Sequence, residues 1–338
     1  GDTIQLESGQ YEGQFVVDVN NLKLIGPDDH SAVLKGAREG RTLWIKSEDV
    51  TVRSLTVMNS GQSLSQMDAG IFLDKTAHRA LIEKNRVLDN LVGVYLWGPH
   101  NVVVRENYIV GNNKLRMSER GNGVTVWNSP GSQVLKNDIL NGRDGIFSNT
   151  SRENVFSGNT FRNLRYGVHY MYTNDSEVSD NISLDNDIGY AIMFSDRIQV
   201  LRNISINSRD QGVMMNYANH STVIANAVHK AEKCVYFYNA NINKITDNYF
   251  EQCEIGVHYT GAAQGNVIFN NAFVYNQTQV KYVGTRYEDW AYEGRGNYWS
   301  DHSGFDLDGD GISDTAYRPN DIIDQVIWRA PSSRILLN

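Results

Sequence analysis

Gly167-Val168-His169-Tyr170-Met171-Tyr172-Thr173-Asn174-Asp175-Ser176 is one copy of a unit that recurs through most of the 338-residue chain. Gly-hydrophobic pairs fall at Gly70-Ile71, Gly93-Val94, Gly123-Val124, Gly145-Ile146, Gly167-Val168, Gly189-Tyr190, Gly212-Val213 and Gly256-Val257, with Cys234-Val235 filling the slot that lacks glycine. All intervals are 22 or 23 residues except the 30 between Gly93 and Gly123. An asparagine column runs in phase with them: Asn85, Asn107, Asn137, Asn159, Asn181, Asn203, Asn226, Asn248 and Asn270. Two residue types repeating in phase at this period signal stacked coils. After each glycine the residues alternate with period two and are rich in β-branched and aromatic types, as in Val94-Tyr95-Leu96-Trp97. That pattern is a strand's, not a helix's. The unit therefore predicts an all-β fold, a right-handed parallel β-helix of about 22 residues per coil, with neighbouring coils ~4.8 Å apart. Stacked asparagines at one corner would satisfy turn backbone and each other.

Outside this array the signal weakens. Residues 1–66 read as less regular coils, 67–283 as the regular β-helix, and 284–338 as a C-terminal cap with an acidic loop and an apolar docking extension. The long interval carries about eight extra residues within 111–120, a loop around Met117 suited to a partner.

Composition narrows the function. A formal charge of -8 disfavours nucleic acid as a partner, and no apolar run reaches the ~18 residues of a membrane span. The start, Gly1-Asp2-Thr3-Ile4, lacks the basic and apolar regions of a secretion signal. The chain is then either cytoplasmic or a mature form whose signal was removed. Cys234 and Cys253 fall on neighbouring coils, out of register; a disulfide in an oxidising compartment and two buried thiols are both open.

Strand alternation sorts the side chains. The residue after each glycine is nearly always β-branched and faces inward. The next column faces outward: Phe72, Tyr95, Thr125, Phe147, His169, Ala191, Met214, Tyr236, His258. Two residues on comes Asp74, Trp97, Trp127, Asn149, Met171, Met193, Asn216, Tyr238, Thr260. Such an aromatic, thioether-rich face marks a binding surface. His169 and Met171 share it ~7 Å apart, and Met193 stacks on Met171. Met214 lies diagonal to Met193. Imidazole and thioether together suit Cu(I) better than Zn²⁺ or Mg²⁺, so His169, Met171, Met193 and Met214 are candidate ligands, with His258 outlying. The ordinary reading of each is a core-filling Met or a satisfied surface His. Tyr95, Trp97, Met117, Trp127, Tyr236, Tyr238 and Trp328 are candidate partner contacts.

Asp306-Leu307-Asp308-Gly309-Asp310-Gly311-Ile312-Ser313-Asp314 resembles a Ca²⁺ loop, with carboxylates at alternate positions. Tyr317 stands where an EF-hand needs Glu, which leaves a related loop or a solvated acidic turn. No nucleophile motif or phosphate loop is present, so the chain reads as a non-enzyme. The rivals are a uronate polysaccharide lyase or epimerase, for which Tyr95, Trp97 and Trp127 would stack on sugars, and a purely structural adaptor.

Three stretches carry a family resemblance: Tyr166 to Ser176, Gly296-Asn297-Tyr298-Trp299-Ser300-Asp301, and Gly304 to Gly311 with Tyr317-Arg318-Pro319-Asn320. Over essentially its whole length the chain resembles NosD, the periplasmic β-helix family of nitrous-oxide-reductase maturation. The resemblance implies a periplasmic subunit of an ABC-type complex, partnered by a membrane permease and a cytoplasmic ATPase. It implies receipt of copper from a lipoprotein chaperone for assembly of nitrous oxide reductase. On that view the signal peptide has been processed and the apolar C-terminus approaches the permease.

Overall fold

The computed structural model describes residues 1–261, 263–283, 289–318 and 326, 330, 332 and 333. The chain winds as a β-solenoid of about 13 turns with almost no helix. A regular coil has three strands, such as Glu177–Ser179, Ile182–Leu184 and Ile188–Asp196. First strands stack into a 12-stranded sheet, while second and third strands join in a 23-stranded sheet. All strand pairings between coils are parallel and one repeat apart, for example Val178↔Val200 and Val168↔Tyr190. The first sheet runs unbroken from Thr3–Gln5 to Val267–Phe269.

Corners carry the repeat's polar signature. Asn181 Nδ2 donates to Phe156 O at 2.8 Å and to Asn203 Oδ1 at 2.9 Å, while its Oδ1 accepts from Asn159 N at 2.8 Å. The same bonds link Asn85, Asn107, Asn137, Asn159, Asn181, Asn203, Asn226, Asn248, Asn271 and Asn297. The expectation of Asn270 in this column is corrected to Asn271. That coil holds one more residue, and Asn270 takes the left-handed corner position just before the ladder (φ 55°). The glycine column answers to close approach rather than unusual φ: a Cβ on Gly145 would lie 2.4 Å from Gly167 O.

Inside, Val168, Tyr170, Tyr190, Ile192, Val213 and Met215 belong to one core running the length of the coil. Each fully buried side chain of this size contributes ~1.5–3 kcal/mol. At the C-terminal end Phe273 stacks on Trp299 at 4.5 Å, Trp299 on Tyr317 at 4.7 Å, and Tyr317 donates to Asp301 Oδ2 at 2.9 Å. The extra residues after Gly111 form a loop with a 3₁₀ turn at Met117–Glu119, tied by Arg120 to the carbonyls of Leu115 and Asn113. Trp328 and the Ile335-Leu336-Leu337 tail lie outside the described residues.

The cysteine alternatives resolve to a disulfide. Cys234, in the third strand of one coil, bonds Cys253, at the corner before the third strand of the next, with Cα atoms 5.7 Å apart. Loop-closure entropy for a crosslink spanning 19 residues is worth about 3 kcal/mol. Replacing both cysteines by serine should lower urea-unfolding stability by that amount; no loss would show that stacking alone holds these coils.

Candidate metal-binding wall

The outward face of the third-strand column is only partly open to solvent. Phe72, Thr125, His169, Ala191 and Met214 point away from the core yet are buried, because flanking columns lie over them. Met171 and Met193 are half-buried, as are Tyr236 and His258.

At the centre, His169 is 6% exposed. It lies between Phe147 and Tyr166, whose ring centroids are 4.9 and 5.0 Å from its own. Register explains the arrangement: Asp144↔Tyr166 and Phe147↔His169 are paired positions on adjacent coils. His169 Nδ1 lies 3.1 Å from Asp144 Oδ2. Arg165 grips the same carboxylate with two bonds, Nε to Oδ1 at 2.8 Å and Nη2 to Oδ2 at 2.6 Å. Burial pushes the Asp144 carboxyl up, but the His169 and Arg165 bonds and the Arg165 charge outweigh it and hold it below the ordinary carboxylate range. Arg165 also lies over the Tyr166 ring at 4.3 Å.

The other nitrogen, His169 Nε2, is buried and has no hydrogen-bond partner among the described residues. Gln211 Oε1, Asn216 Oδ1 and His258 Nδ1 on the same wall share that condition. Gln211 Nε2 donates to Asp210 Oδ1 at 2.9 Å, so the orphaned atom is its carbonyl oxygen. Buried polar atoms are nearly always satisfied, so a run of orphaned nitrogens and oxygens asks for a cation or for donors from another molecule.

The thioethers adjoin this centre. Met171 pairs with Met193, and His169 with Ala191; Ala191 pairs in turn with Met214, and Met193 with Asn216. Met193 packs with Met214, Ala191 and Ile188 in a cluster separate from the core. His169, Met171, Met193 and Met214 thus share one patch. His258 does not join it. It lies four coils from His169, roughly 19 Å away at strand spacing, against Tyr236 at 5.1 Å. Desolvation, then Lys281 and Lys233, push its pKa down to about 4, so its imidazole stays neutral above that pH.

Toward the N-terminus the wall becomes aromatic. Trp97 and Trp127 stack at 5.9 Å, Phe72 meets Tyr95 at 5.3 Å, and the Arg41 guanidinium sits 3.5 Å over Phe72. Met117 is half-buried in its loop. Tyr238 meets Tyr217 at 5.7 Å, ending an exposed aromatic row with Phe194 and Tyr172. The sequence reading named Tyr238, which stands in the thioether column, but missed Tyr172, Phe194 and Tyr217, which repeat one residue past that column. It also missed Asp144, which pairs with Tyr166 from the neighbouring coil, and Arg165, which directly precedes the strand that carries His169.

In the acidic loop, Asp306, Asp308 and Asp310 bring carboxylate oxygens within 4.8 Å of one another. Asp314 stands apart: it accepts from Leu307 N at 2.8 Å and closes the loop. Gly309 N and Gly311 N donate to Asp306 at 2.7 and 2.9 Å. No helix among the described residues is long and apolar enough to cross a membrane.

Fold and wall together define a parallel β-helix that presents imidazole, thioether and aromatic groups along one outward column. The sequence profile described as "Periplasmic copper-binding protein (NosD)" matches residues 106–304. Two relatives named "Probable ABC transporter binding protein NosD" span nearly the whole chain. That of Stutzerimonas stutzeri is 37% identical over 99% of this chain and 79% of its own length, and that of Pseudomonas aeruginosa 38% over 98% and 80%. The chain belongs to the NosD family. Among solved structures, DFA-IIIase from Arthrobacter chlorophenolicus superposes with TM-score 0.60 at 12% identity over 90% of this chain and 89% of that one, a likeness of fold alone.

Proposed function

We propose that this chain is the periplasmic copper-handling scaffold of an ABC-type complex, holding Cu(I) transiently on the outward wall. The cargo passes from a lipoprotein chaperone toward maturation of nitrous oxide reductase. A membrane permease and a cytoplasmic ATPase complete the complex. One observation carries the reading: a buried imidazole nitrogen without a partner, His169 Nε2, on the wall that also bears the Met171, Met193 and Met214 thioethers. That donor set is soft and holds no free carboxylate, which suits Cu(I) over harder divalent ions. Half-burial and few donors favour hand-over rather than storage. Tyr95, Trp97, Trp127, Tyr236, Tyr238 and the Met117 loop would receive the chaperone or the reductase.

The family description and the relatives' names support the copper and transporter parts of this reading. The Cys234–Cys253 disulfide supports an oxidising compartment. Competition titration with a chromogenic Cu(I) chelator, under ascorbate so that the disulfide survives, tests it. Uptake of Cu(I) with no comparable uptake of Zn²⁺ is expected; equal affinity for both, or no uptake, would remove the copper role.

Within the same reading, Ca²⁺ is the ion that the Asp306, Asp308 and Asp310 carboxylates would take, as a structural clip on the C-terminal segment. At ten- to hundred-fold excess over Kd it would stabilise by about 1–3 kcal/mol. A raised thermal midpoint that Asp308→Asn abolishes is expected, and an unchanged midpoint would leave the loop a self-bonded turn.

A further inference from the structure

We infer that Asp144, clamped by Arg165, is a positioning residue that fixes the proton of His169 on Nδ1 and so leaves Nε2 as the metal-binding atom. This rests on the reading of the wall as a Cu(I) site, and it names which atom binds and what holds it ready.

The argument is geometric. A carboxylate in a two-pronged guanidinium grip is ionised and accepts only. Its Oδ2 lies 3.1 Å from His169 Nδ1, so Nδ1 carries the hydrogen and donates. In a neutral imidazole the lone pair then belongs to Nε2. That atom is the one buried without a partner. Phe147 and Tyr166 pack the ring at 4.9 and 5.0 Å and restrict its rotation. The donor is therefore aimed before cargo arrives.

Arg165 has a second effect. Asp144 Oδ1 receives Arg165 Nε, and Oδ2 receives both Arg165 Nη2 and His169 Nδ1. Both oxygens are committed, and the side chain is 2% exposed. The carboxylate is thereby kept out of the metal's coordination sphere, and its charge is balanced by Arg165. A divalent ion meets no anionic ligand at His169, whereas a monovalent soft ion needs none. Outer groups that orient a metal-binding histidine typically matter 10- to 100-fold in affinity.

Asp144→Asn separates this from a packing role. The amide oxygen still accepts from Arg165 Nε, while the NH₂ in the place of Oδ2 gives up the Arg165 Nη2 bond, donates to His169 Nδ1 and drives the hydrogen to Nε2. Two measurements are made on the full chain, ¹⁵N-imidazole NMR without metal and Cu(I) competition titration. The wild-type spectrum should show His169 protonated at Nδ1, and D144N should show it protonated at Nε2, with Cu(I) affinity at least about 10-fold weaker and an unchanged circular dichroism spectrum. A wild-type ring protonated at Nε2 would overturn the assignment even if copper binds. Equal Cu(I) affinity in D144N, with its proton moved to Nε2, would overturn it too. Absence of Cu(I) binding by the wild type would instead sink the underlying copper reading, while the metal-free spectrum still decides the tautomer. Should D144N fail to fold, the wild-type spectrum alone decides between the two tautomers.

Discussion

Changing His169 and Met171 together to alanine is expected to weaken Cu(I) binding by at least about 100-fold while leaving the coil intact. Loss of outer groups alone costs 10- to 100-fold, so loss of two donors starts from the upper end of that range. The fold should survive because the core is made by the alternate residues Val168 and Tyr170. Removing the imidazole does not strand a charge either, since Asp144 keeps Arg165. Chelator competition reads the affinity and urea unfolding reads the fold. Wild-type affinity in the double variant would strip these two residues of any metal role. In cells, the same variant should leave nitrous oxide reductase short of copper while the scaffold accumulates normally.

The largest effect on stability should come from the asparagine ladder. In Asn181→Ala, Phe156 O loses the donor at 2.8 Å and Asn159 N loses its acceptor at 2.8 Å, both in buried surroundings. An orphaned buried group costs ~1–3 kcal/mol, so the variant should lose about 2–5 kcal/mol. Asp180→Asn, one residue away, keeps a residue type suited to the left-handed backbone there (φ 56°) while losing the exposed ion pair with Arg202, and should cost under about 1 kcal/mol. Urea unfolding of the two variants checks the contrast. Equal, small losses would mean that sheet pairing holds the corner without the amides.

The solenoid was legible because every coil repeats its constraints. Glycine marks where backbones approach, asparagine marks the corner, and alternation separates Val168 and Tyr170 from His169 and Met171. Even the error at Asn270 is local: one extra residue shifts the column to Asn271. The candidate wall was legible in part. Periodicity brings His169, Met171, Met193 and Met214 onto one face, because register carries them there. Periodicity does not show that this face is mostly buried, since that depends on neighbours such as Tyr166 and Ile188 leaning across it. Asp144 and Arg165 were invisible for another reason. Asp144 meets His169 only across the stack of two coils, and Arg165 stands just before the strand that carries His169, where alternation does not say that it grips Asp144. The aromatic row of Tyr172, Phe194 and Tyr217 escaped notice because each member takes a left-handed backbone conformation, where strand alternation no longer applies.

Anomalous diffraction at the copper edge, from crystals of the full chain loaded with Cu(I) under ascorbate, goes straight to the claim that the outward wall holds the cargo. A single strong peak in bonding contact with His169 Nε2 and the sulfur of Met171 or Met193 is the predicted result. Copper placed instead on the acidic loop, or between His78 and His100, whose rings lie 4.9 Å apart on adjacent coils, with His169 Nε2 bonded only to water, would contradict it.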